Sequence, residues 1–227
     1  MSQLSLKQLT VQLQSPDVKD RVLAMIELQK GYISALVALP LIQQALADDN
    51  TQIRGMAVYS LGIQLTPENL SLLVPILTGD PDHNMRAIAA GALGYLEDRR
   101  ALEPLRHAFY EDEYWLVQFS AAVALGNLKD PQATSVLLEA LESKHILLQE
   151  AAIAALGEIG AVDTLSSLLR FVDAEDWLLR KRLAEALGNL PDPQSQSALK
   201  FLQGDSNPLV AEAARRSLDI LLLLELP

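Results

Sequence analysis

The chain has 227 residues, of which 50% are hydrophobic, 21% are charged and 5% are aromatic, and its formal net charge is -11. This composition excludes an intrinsically disordered chain, and the length is sufficient for a sizeable core. The absence of cysteine excludes disulfides, thiolate metal sites and a thioether-linked cofactor on the chain itself, and the acidic charge opposes binding to nucleic acid.

The sequence carries little that would bind a metal or enter a membrane. Its three histidines, His83, His107 and His145, leave little for a histidine-based metal site, and we predict none. The longest unbroken apolar run, residues 35–42, is far shorter than the ~20 residues of a transmembrane helix. The first residues lack the charged and apolar stretches of a signal peptide. These features predict a cytoplasmic protein without a transmembrane segment.

One sequence unit recurs along the chain. The chain is predicted to form one domain of repeats. Residues from about 4 to 14 form a single N-terminal cap helix, and the repeats occupy residues from about 17 to 227. Five segments end in Leu-Gly, with glycines 32, 32, 31 and 31 residues apart; these are Gly62, Gly94, Gly126, Gly157 and Gly188. The register continues to Gln29 before them and to Asp219 after them, so seven units share what we call the glycine position.

Each unit keeps the same apolar columns. The residue before the glycine position is Leu in all seven units, and the residue five before it is Ala in every unit except that of Leu183. Leu and Ala at this spacing lie on one helix face, where the small Ala allows a neighbouring helix to approach. The glycine is typical of a left-handed helix end. The columns therefore predict one buried helix in each unit, ending at its glycine.

A second helix is predicted between successive buried helices. Three pairs of a capping residue and a proline suit its first turn, and these are Thr66-Pro67, Asp130-Pro131 and Asp192-Pro193. No segment has the period-two pattern of a strand. The predicted fold class is all-α: a right-handed, curved α-solenoid of about six to seven short helical-hairpin repeats.

The C-terminal run Leu218–Leu226 is unusually apolar for the end of a repeat array, which is expected to be polar on its outer side. Two interpretations stay open. The run either folds back on the last hairpin or forms a contact surface for a partner or for a homodimer.

A polar column precedes the buried helices and changes in the middle of the chain. Twelve residues before the glycine position, Asp or Asn recurs as an N-cap, and an Arg four residues later can bond to it or to the neighbouring repeat. In the fourth and fifth units, Tyr114 with Gln118 and His145 with Gln149 replace this pair. A broken structural rule indicates a functional surface, so these four residues are candidates for partner contact.

The same region is rich in aromatic residues. Residues 106–119 hold Phe109 and Phe119, which we assign to the core, and Tyr110, Tyr114 and Trp115, which we assign to contact with a partner. The edges and loops of repeat proteins commonly carry their binding sites, and this segment lies in the middle of the array.

Trp177 shares the register position of Trp115, eleven residues before the glycine position and two units later. Because tryptophan is favoured in binding hot spots, the two residues are expected to anchor one partner. The alternative is a large residue that closes the start of a helix. The short basic patch Arg180–Arg182 is either a solvated face or a contact for an acidic partner.

The repeat motif, Asp-x-x-x-x-hydrophobic-Arg-x-x-Ala-Ala-x-Ala-Leu-Gly, resembles the short HEAT repeats of the phycobilin lyase family of cyanobacteria over nearly the whole chain. Within that family, the stretches Glu113–Gly126 and Asp176–Gly188 are most similar to the members that degrade phycobilisomes. The resemblance implies binding to phycobiliproteins, either phycocyanin or allophycocyanin subunits, and a role in phycobilisome disassembly at the thylakoid surface. It also implies detachment of the bilin chromophore as a further activity.

Two alternatives stay open. The first is a subunit of a heterodimeric phycobilin lyase, which needs a lyase partner chain to attach or remove bilin at phycobiliprotein cysteines. The second is a non-enzymatic HEAT-repeat scaffold. A bilin such as phycocyanobilin would be a non-covalent ligand or substrate, stacked on Tyr and Trp, with its propionate paired to Arg106 or His107. The only candidates for acid–base catalysis are His107 and Glu111, four residues apart on a predicted helix.

Overall fold

A computed structural model describes residues 4–224, and every regular element in this range is helical. The α-helices in chain order are α1 (Leu6–Leu13), α2 (Val18–Gln29), α3 (Ala35–Leu46), α4 (Thr51–Ile63), α5 (Asn69–Gly79), α6 (His83–Tyr95), α7 (Leu102–Glu111), α8 (Trp115–Asn127), α9 (Thr134–Ala140), α10 (Ile146–Ile159), α11 (Leu165–Leu168), α12 (Trp177–Leu187), α13 (Pro193–Leu202) and α14 (Pro208–Leu224). Short 3-10 turns adjoin α7, α9 and α11, at Arg99–Ala101, Pro131–Ala133, Val162–Thr164 and Leu169–Phe171. The predicted all-α class is confirmed.

The helices form two compact units, one ending at Pro104 and the other beginning at Leu105. In the first unit, α1, α3 and α5 each pack on the helix that follows, and α4 packs along both α2 and α6. In the second unit, α9 and α13 pack on α10 and α14, while α8, α10, α12 and α14 pack side by side in that order. Each unit is therefore a stack of helical hairpins, as predicted. The assignment of residues 1–227 to one repeat domain stays a prediction.

The even-numbered helices carry the glycine position, and their apolar columns form the core. The seven Leu residues before the glycine position are all buried, and these are Leu28, Leu61, Leu93, Leu125, Leu156, Leu187 and Leu218. The six Ala residues of the other column are completely buried as well. Each buried Leu contributes about 1.5–3 kcal/mol relative to an exposed one, so the repeated column stabilises the whole array.

The prediction that the glycines end the helices in a left-handed conformation is wrong. Gly62, Gly126 and Gly157 lie inside the last turns of α4, α8 and α10. The glycines with positive φ are Gly31 and Gly160, which are not in the repeated column.

The repeated glycines instead allow neighbouring even helices to approach each other. A Cβ atom placed on Gly126 would lie 2.7 Å from Cα of Ala155, which lies two residues before the next glycine position. A Cβ on Gly62 or Gly157 would meet the equivalent alanine Cα of the following helix at 2.7 Å. No real side chain tolerates such a distance without a shift of the backbone. The glycine is therefore a requirement of helix packing rather than of helix termination.

The predicted N-caps of the even helices are confirmed. Asp17, Asn50, Asp82 and Asp176 each accept a hydrogen bond from the backbone N–H two residues later. Such a cap contributes about 1 kcal/mol.

The caps predicted for the second helices give a mixed result. Asp130 and Asp192 accept the N–H groups of Gln132 and Gln194, as expected. Thr66 is not a cap: α5 begins later, and the buried Thr66 hydroxyl donates to Oδ1 of Asn69 at 2.5 Å. Asn69 in turn donates to two backbone carbonyls, so these side chains brace the turn instead of capping the helix.

The apolar C-terminal run extends α14. Leu218 and Leu221 are buried, whereas Ile220, Leu222 and Leu223 are exposed. The last residues of the run, 225 and 226, lie outside the described residues. Between residues 4 and 224, no helix is long and apolar enough to cross a membrane.

Candidate functional site

The arginine column ties each even helix to the turn before it. Arg54 donates to the carbonyl of Asp48 at 2.8 Å, Arg86 to that of Asp80 at 2.8 Å, and Arg180 to that of Ala174 at 2.6 Å. In every case the acceptor lies six residues earlier, in the turn that precedes the N-cap. The bond therefore fixes the direction in which the chain enters the helix.

In this column, Arg21 and Arg180 also join neighbouring repeats. Arg21 forms paired hydrogen bonds with the carboxylate of Asp48 at 2.8 and 3.0 Å, and Arg180 does so with Asp205 at 2.6 and 3.0 Å. The side chains of both pairs are at most 15% exposed. The hydrogen bonds from Arg180 lower the pKa of Asp205, as expected for a carboxylate held by a guanidinium.

The fourth and fifth units keep the hydrogen bond to the preceding turn but lack the ion pair with the next repeat. Gln118 donates to the carbonyl of Asp112 at 3.0 Å, and Gln149 donates to that of Ser143 at 2.9 Å. Asp48 and Asp205 lie at one register position of the next unit. At this position, the unit after Gln118 has Ser143 and the unit after Gln149 has Ala174. Both partners of the ion pair are thus replaced together, which leaves no unpaired buried charge at these positions.

The helix starts of the same two units carry exposed rings instead of caps. Tyr114 and His145 occupy the N-cap positions of α8 and α10 without a side-chain capping bond. The indole of Trp115 lies nearly parallel to the imidazole of His145, with centroids 5.6 Å apart and planes at 20°. The ring centroid of Phe119 lies 6.4 Å from that of Trp115, with the two planes at 62°. The structure therefore brings Trp115 and His145 together at one edge.

Apolar residues begin three successive even helices of the second unit. Trp115, Ile146 and Trp177 are the first residues of α8, α10 and α12, and they are 39%, 45% and 38% exposed. Leu147 is also exposed. We call the four residues Trp115, His145, Ile146 and Trp177 the aromatic edge. Large exposed side chains in register on adjacent helices form a surface suited to another protein.

The remaining predicted candidates lie on α7. The hydroxyl of Tyr110 donates to Oε1 of Glu139 at 3.0 Å, and burial together with this bond raises the pKa of Tyr110. Arg106 is half-buried, whereas His107 and Glu111 are exposed. No ion pair or hydrogen bond joins His107 to Glu111 in the described part of the chain. Their catalytic role stays a prediction.

The basic patch is occupied by internal ion pairs. Arg180 is bound to Asp205 and to the turn before α12, so it holds these two elements together. Lys181 and Arg182 donate to the two carboxylate oxygens of Glu185 at 2.5 and 2.8 Å. Contact between Arg180 and an acidic partner stays a prediction.

A carboxylate that sequence reasoning missed lies beside this patch. Glu150 of α10 is only 8% exposed and lines a cleft of about 250 Å³ along α8, α10 and α12. Burial raises the pKa of Glu150, and the positive charge of Arg182 opposes this effect. A signal was present in the sequence: the register position of Glu150, seven before the glycine position, holds no charged residue in the four preceding units.

Metal binding finds no support in the described residues, where no group of three or more His, Cys, Asp or Glu side chains is placed to hold an ion.

The sequence profile described as HEAT repeats matches residues 70–148 and 134–219. The chain belongs to the HEAT-repeat family. No curated protein sequence matches this HEAT-repeat protein significantly.

Solved structures with the same repeat architecture are similar to this HEAT-repeat protein. The complex of CpcE and CpcF of phycocyanin lyase from Nostoc sp. PCC7120 matches with a TM-score of 0.64 and 23% identity, over 82% of this chain and 76% of that chain. A mutant of Kap121p matches with a TM-score of 0.69 and 18% identity, over 89% of this chain and 26% of that chain. An engineered protein matches with a TM-score of 0.57 and 22% identity, over 96% and 98%. At these identities the likeness establishes the fold alone.

Proposed function

We propose that this HEAT-repeat protein binds phycobiliproteins through its aromatic edge and acts in phycobilisome disassembly, in the manner of the degradation protein NblB, whose repeats it resembles. The observation that carries the proposal is the set of large apolar side chains exposed at the starts of α8, α10 and α12. Burial of an exposed tryptophan by a partner stabilises the complex, and tryptophans dominate many binding hot spots. The resemblance of the stretches around Trp115 and Trp177 to the degradation proteins supplies the class of partner.

The fourth and fifth units support this assignment because they lack the capping bond and the ion pair that the repeats of α2 and α12 have. A capped helix start with a buried ion pair is stabilising, yet the fourth unit has Tyr114 and Gln118, and the fifth has His145 and Gln149. Stability given up at one edge is expected where that edge serves binding.

Co-elution with purified phycocyanin on a sizing column tests the proposal. We expect the wild-type protein to co-elute at micromolar concentration, and the variants Trp115→Ala and Trp177→Ala to bind at least tenfold more weakly. Phe201→Ala is the matched control, because Phe201 is a 66% exposed aromatic residue on α13, away from the aromatic edge. Equal loss of binding in Phe201→Ala, or full binding by both tryptophan variants, would contradict the assignment.

Bilin detachment is the enzymatic extension of the proposal. The visible spectrum of phycocyanin is followed during the same incubation, and loss of the bilin band indicates action on the pigment. If His107 and Glu111 act as acid and base, His107→Gln and Glu111→Gln slow the loss about 100-fold or more without weakening co-elution. An unchanged spectrum with intact co-elution would leave a binding role without bilin chemistry.

A phycobilin lyase subunit is the second candidate. The similarity in fold to a phycocyanin lyase that is a complex of two different chains favours it. Such a subunit is expected to be inactive by itself and to act on bilin only with its partner chain. Activity of the single chain would therefore exclude this candidate, and activity restored by a second chain would replace the degradation role.

A further inference from the structure

Burial sets Glu150 apart from the other charged residues at its register position. Seven residues before the glycine position, the first four units carry Val22, Gly55, Ala87 and Phe119. The sixth and seventh units carry Lys181 and Glu212 there, and each of these forms an ion pair. The fold therefore needs no unpaired charge at this position. In the fifth unit it places a carboxylate on the wall of the cleft, with 8% of the residue exposed.

The carboxylate of Glu150 has no partner within the described part of the chain. No hydrogen bond and no ion pair reaches it there. The nearby cations Lys181 and Arg182 are both bound to Glu185. Arg182 also lines the cleft, and its charge opposes the effect of burial on Glu150 without forming a hydrogen bond to it. A largely buried carboxylate without a hydrogen-bond partner is costly, so a cation from outside the chain would stabilise it.

The cleft around Glu150 suits a cation on an apolar stem. Its lining is mainly apolar, with Phe119 and Val123 from α8 and Leu147 and Ala151 from α10. The lining also includes Glu158, two helical turns or about 12 Å along α10 from Glu150. Glu158 is half-exposed and lies 3.6 Å from Lys129, so its charge is already balanced. The carboxylate left for a ligand is therefore that of Glu150.

We propose that the Glu150 cleft binds an arginine side chain of a partner protein. The methylene stem would lie against Val123 and Leu147, the guanidinium plane would stack on the ring of Phe119, and its N–H groups would donate to the carboxylate of Glu150. Arginine fits better than lysine, because a guanidinium is more weakly hydrated, pairs with a carboxylate through two parallel bonds and stacks on aromatic rings. The inference depends on the cleft alone and not on the proposed function.

The probe for this site is N-acetyl-arginine N-methylamide, and its neutral isostere, the citrulline derivative, is the control ligand. In an NMR titration of the full chain, we expect the arginine probe to bind saturably at millimolar concentration and to shift the resonances of Glu150, Phe119 and Leu147. The citrulline derivative should bind at least tenfold more weakly, because it lacks the charge that Glu150 requires.

Two matched variants keep the test specific. Glu150→Gln preserves the shape of the side chain and should lose at least tenfold in affinity for the arginine probe. Glu212→Gln removes the same charge from the same register position in the seventh unit, where Glu212 is half-exposed and paired with Arg216. This variant should bind within about twofold of the wild type. A thermal melt of each variant confirms folding. Absent saturable binding, equal binding of the citrulline derivative, or unchanged affinity in Glu150→Gln would overturn the proposal.

Discussion

The repeats of this protein fall into a regular and an irregular group. Units such as those of α2 and α12 begin with a capping aspartate and carry an arginine that reaches the carboxylate of the next repeat. The units of α8 and α10 begin with Tyr114 and His145, use glutamine in place of arginine, and expose Trp115 and Ile146. Both groups keep the buried Leu column, and both keep the buried Ala column except at Leu183 of α12.

The contrast separates what the fold requires from what it permits. The core columns and the close-approach glycines are common to both groups, so they carry the architecture. The polar edge varies without loss of the fold, because Gln118 and Gln149 preserve the bond to the preceding turn. Function is therefore expected at the edge and in the adjacent cleft, where residues are free to change.

The largest expected effect comes from replacing only the arginine of the ion pair in a regular unit. Arg180→Gln leaves the carboxylate of Asp205 buried without its partner, and we expect a loss of about 3 kcal/mol in the free energy of unfolding. Chemical denaturation measures this loss. The double variant Arg180→Gln, Asp205→Ser reproduces the residues at the equivalent positions, Gln118 and Ser143, and it should recover at least half of the loss. A double variant no more stable than the single one would show that the irregular units are compensated elsewhere.

The ion pair between Arg180 and Asp205 predicts that the free energy of unfolding depends on pH. Asp205 has a lowered pKa in the folded protein, so its contribution to stability is complete above its unfolded value of about 3.9 and is lost as the pH falls through the folded value. Denaturation at several acidic pH values should show a shallower loss in Arg180→Gln than in the wild type. Parallel curves would contradict the assignment of this pKa shift to Arg180.

The next effect tests whether both groups share one packing. Gly62→Ala in the unit of α4, whose start is capped by Asn50, and Gly126→Ala in an irregular unit each force a Cβ to within 3 Å of the next even helix. Both should cost about 1–3 kcal/mol, measured by thermal or chemical denaturation. Gly91→Ala is the matched control: no atom lies within 4 Å of a Cβ there, and removal of a helical glycine should stabilise by about 0.5–1 kcal/mol. Equal losses in all three variants would contradict the close-approach explanation.

A smaller effect is expected at Glu150. Glu150→Gln removes a buried unpaired charge and should raise the free energy of unfolding at pH 7 by about 1 kcal/mol. Since the folded pKa of Glu150 is raised, the penalty from its charge is absent at low pH and grows as the pH rises through that value. The gain should therefore vanish below pH of about 4, near the ordinary pKa of Glu. Denaturation across this range checks the sign, and a gain that persists at low pH would contradict it.

The smallest expected effect sharpens the contrast at the helix start. Tyr114→Asp should supply the capping bond that α8 lacks and raise stability by about 0.5–1 kcal/mol. The same variant should weaken phycocyanin binding on the sizing column, because it removes an exposed ring beside Trp115. Added stability with unchanged binding would take Tyr114 out of the contact surface.

The helices could be predicted from the sequence because a residue type that recurs at one position of every repeat indicates a buried position. A Leu in every unit at one position, such as Leu61 or Leu125, has no explanation except a shared core. The role of the glycines was misread because a helix-ending glycine and a close-approach glycine have the same spacing. The distinguishing signal was the small residue two positions before the glycine position in the following unit, such as Ala155 opposite Gly126.

The candidate site was predictable only in part. The exchange of the capping pair identified Tyr114 and His145, and the register placed Trp115 and Trp177 on one edge. The stacking of Trp115 on His145 depends on side-chain rotamers that register does not specify. Glu150 was missed because a glutamate on an amphipathic helix ordinarily faces solvent, and only the walls provided by α8 and α12 bury it.

Hydrogen exchange of the protein alone and in complex with phycocyanin tests most directly whether the irregular units are the binding surface. The account predicts slower amide exchange on complex formation in residues 114–123 and 145–154, with residues 17–29 of a regular unit unchanged. Slower exchange confined to residues 17–29, or equal slowing across all even helices, would contradict it.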